Sequence, residues 1–319
     1  MKLTNEASII LTHIGKGEFP YYIYDCVEQI RLFNPATKLY LAIDKEAKNV
    51  DYSRLYFYRV EIVFINDLIK TDNHKLFSRK TWLSKFWKVT MERFFIVEEV
   101  MRKYDINNAI HLENDNLIYF SVEELFPKVT HGFNTITMPR DNEERCIAGI
   151  VFIQGVEAVS KINEHFVDYQ HLKTNEMILL GLFMKNNEYK TLPVVGENMS
   201  CIWRIEGSKM KEFSYRANEL NGVFDAAALG QLIGGKDKRQ YKDIMNGNFS
   251  NLPVGIEPFI NPDAVYEYQL DTIKWIKNDR NLMIPVIQGQ SNYYIYNLHI
   301  HSKELYRFKS NSISACSIN

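Results

Sequence analysis

The sequence predicts an α/β fold: a mostly parallel mixed sheet flanked by helices, followed by a β-rich C-terminal part. Three observations predict it. Short apolar runs alternate with amphipathic stretches through the first third. Those runs end at polar or acidic turns, and after about residue 266 the pattern changes to paired β segments. With 319 residues, 46% hydrophobic and 24% charged, the chain is long enough for a sizeable core.

Ser8–Thr12 reads as a buried strand, with His13–Gly17 as the loop after it. A helix is expected from about Pro20 to Phe33, with Pro in its first turn and Asn34-Pro35 closing it. Lys38–Ile43 and Glu61–Ile65 are the next strands, ending at Asp44 and at Asn66-Asp67. A long amphipathic helix covers about Trp82 to Tyr104, its turns marked by Phe86, Val89, Arg93, Val97 and Val100. Ala109–Leu112 is a fourth strand, running into Glu113-Asn114-Asp115-Asn116. Ser121-x-x-Glu124 has the form of a capping box opening a short helix. Thr135–Met138 and Gly149–Ile153 are expected as strands, and Thr174–Met184 as a helix capped by Thr174 or Asn175. Thr272–Lys277 and Leu282–Ile287 flank Asn278–Asn281 as a hairpin would. No repeat or linker interrupts the chain, so one continuous globule is expected, with a first half at 1–120 and a second at 121–319.

Charge excludes some partners. The 38 Lys+Arg and 39 Asp+Glu leave a net charge of -1, which gives no basic field for nucleic acid. Cys26, Cys146, Cys201 and Cys316 form no CxxC pair, which argues against a zinc knuckle or a disulfide framework and fits a cytoplasmic setting. The N-terminus lacks the form of a signal peptide, and the most apolar stretch, Met177–Met184, is far shorter than the roughly 20 residues of a membrane span, so no transmembrane segment is expected.

Two motifs carry chemistry. Glu113-Asn114-Asp115 puts two carboxylates at the carboxyl edge of the fourth strand, where open α/β sheets bind ligands. Hard oxygen donors there suit Mg²⁺ or Mn²⁺ bridging a diphosphate, although Asx-rich turns also serve as plain caps. Asn297-Leu298-His299-Ile300-His301-Ser302-Lys303 is the second. As a strand it places Asn297, His299, His301 and Lys303 on one face, joining imidazole ligands to a phosphate-binding cation.

A strand-helix start, an acid-x-Asp turn after the fourth strand, a Gly-led strand at Gly149 and a C-terminal His-x-Lys together resemble the GT-A class of nucleotide-sugar-dependent glycosyltransferases, whose sheet is Rossmann-type. The resemblance implies a metal-dependent transferase with Mn²⁺ or Mg²⁺, a UDP- or GDP-type sugar donor and a carbohydrate acceptor. The usual Asp-x-Asp is here Glu113-Asn114-Asp115, which makes Asp115 the metal ligand and sets Glu113 toward ribose or sugar. His-x-Lys maps to His301 as metal ligand and Lys303 as diphosphate contact, with His299 competing. By the same map His13, Gly15 and Asp44 lie near the nucleoside. Arg79, Lys80, Lys85 and Lys88 are within reach of phosphate or form a solvated face. Glu176, at a helix start, is the candidate base, and Asp225 is its rival or a helix N-cap. Retention and inversion share the metal turn, so the residues leave stereochemistry open.

A sugar nucleotidyltransferase and a non-catalytic carbohydrate-binding protein of the same fold are the alternatives. Gly234-Gly235, followed by Lys236-Asp237-Lys238-Arg239, reads as a helix C-cap and loop bordering an acceptor. Among the aromatics, Tyr21-Tyr22, Phe86-Trp87 and Phe94-Phe95 are expected to pack. Trp203, Tyr215, Tyr241 and the Tyr293-Tyr294-Tyr296 run are expected where a sugar face stacks.

Overall fold

The computed structural model describes residues 6–79, 84–197, 199, 201–205, 209–236, 259–289 and 292–312. Lys80, Trp82, Asp237, Lys238, Arg239, Tyr241, Cys316 and the Lys85 side chain, all named above, lie outside what is described. The first half holds β1 (Ala7–His13), α1 (Tyr22–Phe33), β2 (Leu39–Ile43), α2 (Tyr52–Phe57), β3 (Val60–Phe64), α3 (Asp72–Ser78), α4 (Lys85–Lys103), β4 (Asn108–Leu112) and β5 (Asn116–Ile118). After these come α5 (Val122–Gly132), β6 (Ile136–Thr137), β7 (Ile150–Gln154), α6 (Val156–Tyr169) and α7 (Glu176–Asn186). The remainder is β8 (Ile202–Trp203), α8 (Met210–Phe213), α9 (Ala217–Leu220), β9 (Gly222–Val223), α10 (Leu229–Gly234), β10 (Tyr266–Glu267), β11 (Ile273–Lys277), β12 (Met283–Ile287), β13 (Tyr293–Ile295) and β14 (Asn297–His299).

Among the described residues a six-stranded sheet runs β3-β2-β1-β4-β7-β6. The pairs β3-β2, β2-β1 and β1-β4 are parallel, and β7 alone is reversed against both of its neighbours. This is the mixed, mostly parallel arrangement that the sequence predicts, and the β-rich C-terminal part follows as a β11-β12-β13-β9 sheet. Strand alternation sorts the core onto two faces. Ile9, Leu11, Leu41 and Ile110 pack with α1, while Ile10, Ala42, Ala109 and Val151 pack with Phe94 and Phe95 of α4 and Ile162 and Phe166 of α6.

Three predicted details change. The 297–303 segment is no continuous strand: β14 stops at His299, the Ile300 N–H goes to the Asp115 carbonyl at 2.8 Å, and Lys303 turns at φ +66°. Ser121 makes no side-chain cap on α5, and the first helical N–H, that of Val122, is taken instead by Asn34 Oδ1 at 2.7 Å. The helices α2, α3 and α6 were not predicted. The last of these packs on α4 through Ala158, Val159, Ile162 and Phe166. Asn175 does cap α7, accepting from the Ile178 N–H at 3.0 Å.

Candidate active site

The site forms where β4 leaves the sheet and β14 returns beside β5. The Glu113 N–H donates to the Gly149 carbonyl at 2.9 Å, and the Asn116 N–H closes the turn on the Glu113 carbonyl at 3.1 Å. Asn114 fixes the turn from below, its amide donating to the Thr12 carbonyl at 2.7 Å. On the other side β14 pairs antiparallel with β5, setting His299 opposite Asn116. A buried amide chain locks this register: Asn297 Nδ2 donates to Asn116 Oδ1 at 2.8 Å, and Asn297 Oδ1 accepts the Asp225 N–H at 3.0 Å.

The result brings three ligating side chains together. His299 Nε2 stands 3.0 Å from Glu113 Oε2 and 3.2 Å from Asp115 Oδ1. One donor atom from each of these residues lies within 4.8 Å of the other two. Two carboxylates and one imidazole suit a divalent ion such as Mn²⁺ or Mg²⁺. Lys303 Nζ pairs with the other Asp115 oxygen. Burial would raise the Asp115 carboxyl, but the neighbouring His299 and Lys303 overcome it and hold the group well below the usual carboxylate range. His301 sits with its ring 4.4 Å from that of His299, its nitrogens facing Gln231; burial, with His299 adding to it, holds it well below the ordinary imidazole value.

Two glycines admit His299. A Cβ on Gly149 would stand 2.9 Å from His299 Nδ1, and a Cβ on Gly230 would stand 2.1 Å from the His299 carbonyl oxygen. Neither space holds a methyl group without something moving.

The cluster lies in a cleft of about 610 Å³. Arg93, buried in α4, pairs with both Glu113 and Glu176. Sequence reading treats Arg93 only as a marker of helix turns; a cation on the buried stripe of a helix is the signal that points to such partners. Glu176 lines the cleft. Asp225 does not. Its oxygens accept the N–H groups of Ala228, Leu229, Gly230 and His299 at 2.7 to 2.9 Å, so it caps α10 and fixes β14. Burial raises its carboxyl, partly offset by those hydrogen bonds.

The other predicted residues fall around this centre. Thr12 and Ile14 line the cleft, whereas His13 packs edge-on against Phe19 at 5.2 Å; burial lowers its imidazole, with Asp44 opposing. Gly15 lies on the loop after β1, and Asp44 accepts the Glu46 N–H at 3.2 Å; neither lines the cleft. Lys88 is also absent from the lining, though Trp87 and Val89 on either side of it are present. The aromatics divide only in part as expected, and Tyr215, Tyr294 and Tyr296 line clefts elsewhere. Tyr22, Phe86 and Trp87 line the cleft, while Phe94 and Phe95 are core. Trp203 packs near Phe213 and Tyr266, Tyr215 against Phe133, and Tyr293 is buried; in that group Tyr294 is exposed.

No protein-family model matches this chain, and no curated protein does. Solved structures are similar to part of it. The apo form of the glycosyltransferase GlyE of Streptococcus pneumoniae TIGR4 is 16% identical, with a TM-score of 0.40 over 59% of this chain and 45% of that one. This chain thus spans less than half of the GlyE chain. Mouse xyloside xylosyltransferase 1, apo form, is 9% identical, with a TM-score of 0.43 over 68% of this chain and 92% of that one. A cytidylyltransferase from Leptospira borgpetersenii serovar Hardjo-bovis is 8% identical, with a TM-score of 0.35 over 58% of this chain and 74% of that one. No residue role or substrate is carried across at these identities.

Proposed function

We propose that this chain is a metal-dependent glycosyltransferase moving a sugar from a nucleoside-diphosphate sugar, of the UDP or GDP type, to a hydroxyl of a glycan or other acceptor. The observation that carries this reading is the convergence of Glu113, Asp115 and His299 beside Lys303 at the carboxyl edge of the sheet. Residues 1–120 then form the nucleotide-sugar-binding half, and 121–319 the acceptor-binding half with a C-terminal element that reaches back to the metal and diphosphate. Glu113, Asp115 and His299 hold Mn²⁺ or Mg²⁺, which when bound offsets the charge that builds on the departing diphosphate. Lys303 gives the same group a second positive charge. Arg93 fixes the spacing of Glu113 and Glu176. Glu176 faces the cleft and takes the acceptor proton once its pairing with Arg93 loosens. Asp225 is a positioning residue for His299. His301 backs His299 in the same wall. His13, Gly15 and Asp44 border the nucleoside end, and Lys88 approaches from the start of α4.

Thermal unfolding with UDP and GDP, each with and without Mn²⁺, tests the reading. A ligand at 100 times its Kd adds about 2.7 kcal/mol of stability, so a nucleotide shift that grows with Mn²⁺ is the expected result. No added stabilisation by Mn²⁺ with either nucleotide overturns the metal-diphosphate site. Release of pyrophosphate from a nucleoside triphosphate and a sugar phosphate, without sugar transfer, would assign the chain to nucleotidyl transfer instead.

A further inference from the structure

We propose that the protein carries a second carbohydrate site, for a neutral oligosaccharide, in the cleft beside Tyr294 at the far end of the sheet from the metal-ligating cluster. The two ends are joined by β5 and β14. Asp115 and His299 stand at one end of this pair, and the Tyr119 N–H donates to the Tyr296 carbonyl at the other, at 3.0 Å. Four residues of extended chain separate the ends, about 13 Å. The cleft there measures about 710 Å³ and shares no lining residue with the first.

Its chemistry is that of polyol recognition. Tyr294 presents its ring to solvent at 37% exposure. The hydroxyls of its neighbours are spent inside, with Tyr293 donating to Asn218 and Tyr296 to the Leu220 carbonyl. The same cleft is lined by Ser121, Glu123, Glu124, Asn221 and Asp279, whose side chains make no hydrogen bond or ion pair among the described residues. The Ser121 hydroxyl makes no cap bond to α5. Carboxylates and amides accept from sugar hydroxyls while an aromatic face covers the apolar side of the ring. An anion is disfavoured. The lining carries three carboxylates against two cations, and one of those, Arg280, is engaged by Phe33, over its ring at 5.5 Å and on its carbonyl at 3.2 Å. This site does not depend on the transfer chemistry, since no residue in it belongs to the metal-ligating cluster.

Titration of the full chain in EDTA without nucleotide, by calorimetry or NMR, tests it with maltopentaose, cellopentaose, xylopentaose and mannopentaose, and oligogalacturonate as the acidic control. At least one neutral oligosaccharide is expected to bind saturably with a Kd of about 1 mM. Tyr294→Ala should weaken that binding at least about tenfold, Tyr294→Phe less than about threefold, and Asp115→Asn not at all. Should Tyr294→Ala fail to fold, Glu124→Gln and Asp279→Asn carry the test, each expected to weaken binding about threefold or more. The site is overturned if none of the four neutral sugars binds, if the Tyr294→Ala variant, or both carboxylate variants in its place, bind as the parent does, or if oligogalacturonate binds more tightly than all of them. Failure here leaves the Mn²⁺-dependent nucleotide shift intact, and loss of that shift leaves this site intact.

Discussion

Between α3 and α4 each nitrogen of the His74 ring faces its own carboxylate, Nδ1 at 2.7 Å from Glu99 and Nε2 at 3.2 Å from Glu92. At the edge of the sheet Glu113 and Asp115 both turn to one nitrogen of His299, while its Nδ1 is buried without a partner. The residue types are nearly the same and the outcomes differ. The His74 ring links the two carboxylates in the interior, its own side chain at 0% exposure and Glu99 at 1%, with Glu99 also accepting the Thr71 N–H at 2.9 Å. At the sheet edge the two carboxylates share one nitrogen, pair with Arg93 and Lys303 on their other sides and line a cleft, with the Glu113 side chain 21% exposed, so an ion entering the cleft can reach them. Composition therefore does not separate a structural link from a ligand site; direction and access do.

The largest effect is expected from Asp115→Asn. It should lower transfer by about 10²–10³-fold and remove the Mn²⁺-dependent nucleotide shift, whereas Glu99→Gln should leave the initial rate within about twofold. Equal losses in the two variants would erase the distinction between the clusters. Gly149→Ala comes next, because its methyl pushes on His299 Nδ1 at 2.9 Å. Mn²⁺ affinity by titration should fall about 10–100-fold with the far-UV spectrum unchanged, and an unaltered affinity would mean that the His299 ring position does not matter.

Glu99→Gln should instead cost about 1–3 kcal/mol in urea unfolding, with metal affinity retained. The smallest effect concerns pH. Burial would lower the His74 imidazole, but its hydrogen bonds to Glu92 and Glu99 raise it above the ordinary value. The folded state then keeps the proton to higher pH than the unfolded chain. Its contribution is whole below about pH 6.5 and lost as pH climbs through the folded value. The parent protein should lose more stability than His74→Gln between about pH 6 and pH 8.5, and parallel curves would show that His74 is not held charged.

Much of this was readable from residues alone, for physical reasons. β1 to β4 announce themselves because both faces of a parallel sheet are buried, which makes continuous apolar runs. The acidic turn was readable for a related reason: Glu113 and Asp115 follow such a run directly. The different surroundings of His299 and His301 were not. Period two extended through Lys303 treats them alike, and what separates them is the Ile300 N–H taken by the Asp115 carbonyl, a contact from a distant part of the chain. Capping of α5 by Asn34, 88 residues away, is hidden for the same reason. The helix α6 was legible in principle, with apolar residues at 158, 159, 162 and 166, but it starts behind Gly155 in a stretch rich in charge.

The pairing of β14 with β5 also sets an order of events during synthesis. All six strands of the main sheet lie within residues 7–154, so that sheet has its full complement before half of the chain has been made. Lys303 meets Asp115 across a separation of 188 residues, and His299 arrives with it. A ribosome-bound fragment holding the sheet therefore has the two carboxylates and no imidazole to join them. Closing so long a loop carries an entropic cost, and a cation that binds only the closed form draws the equilibrium toward it. Under the proposed function, capture of the ion would double as a signal that the C-terminal strand has docked.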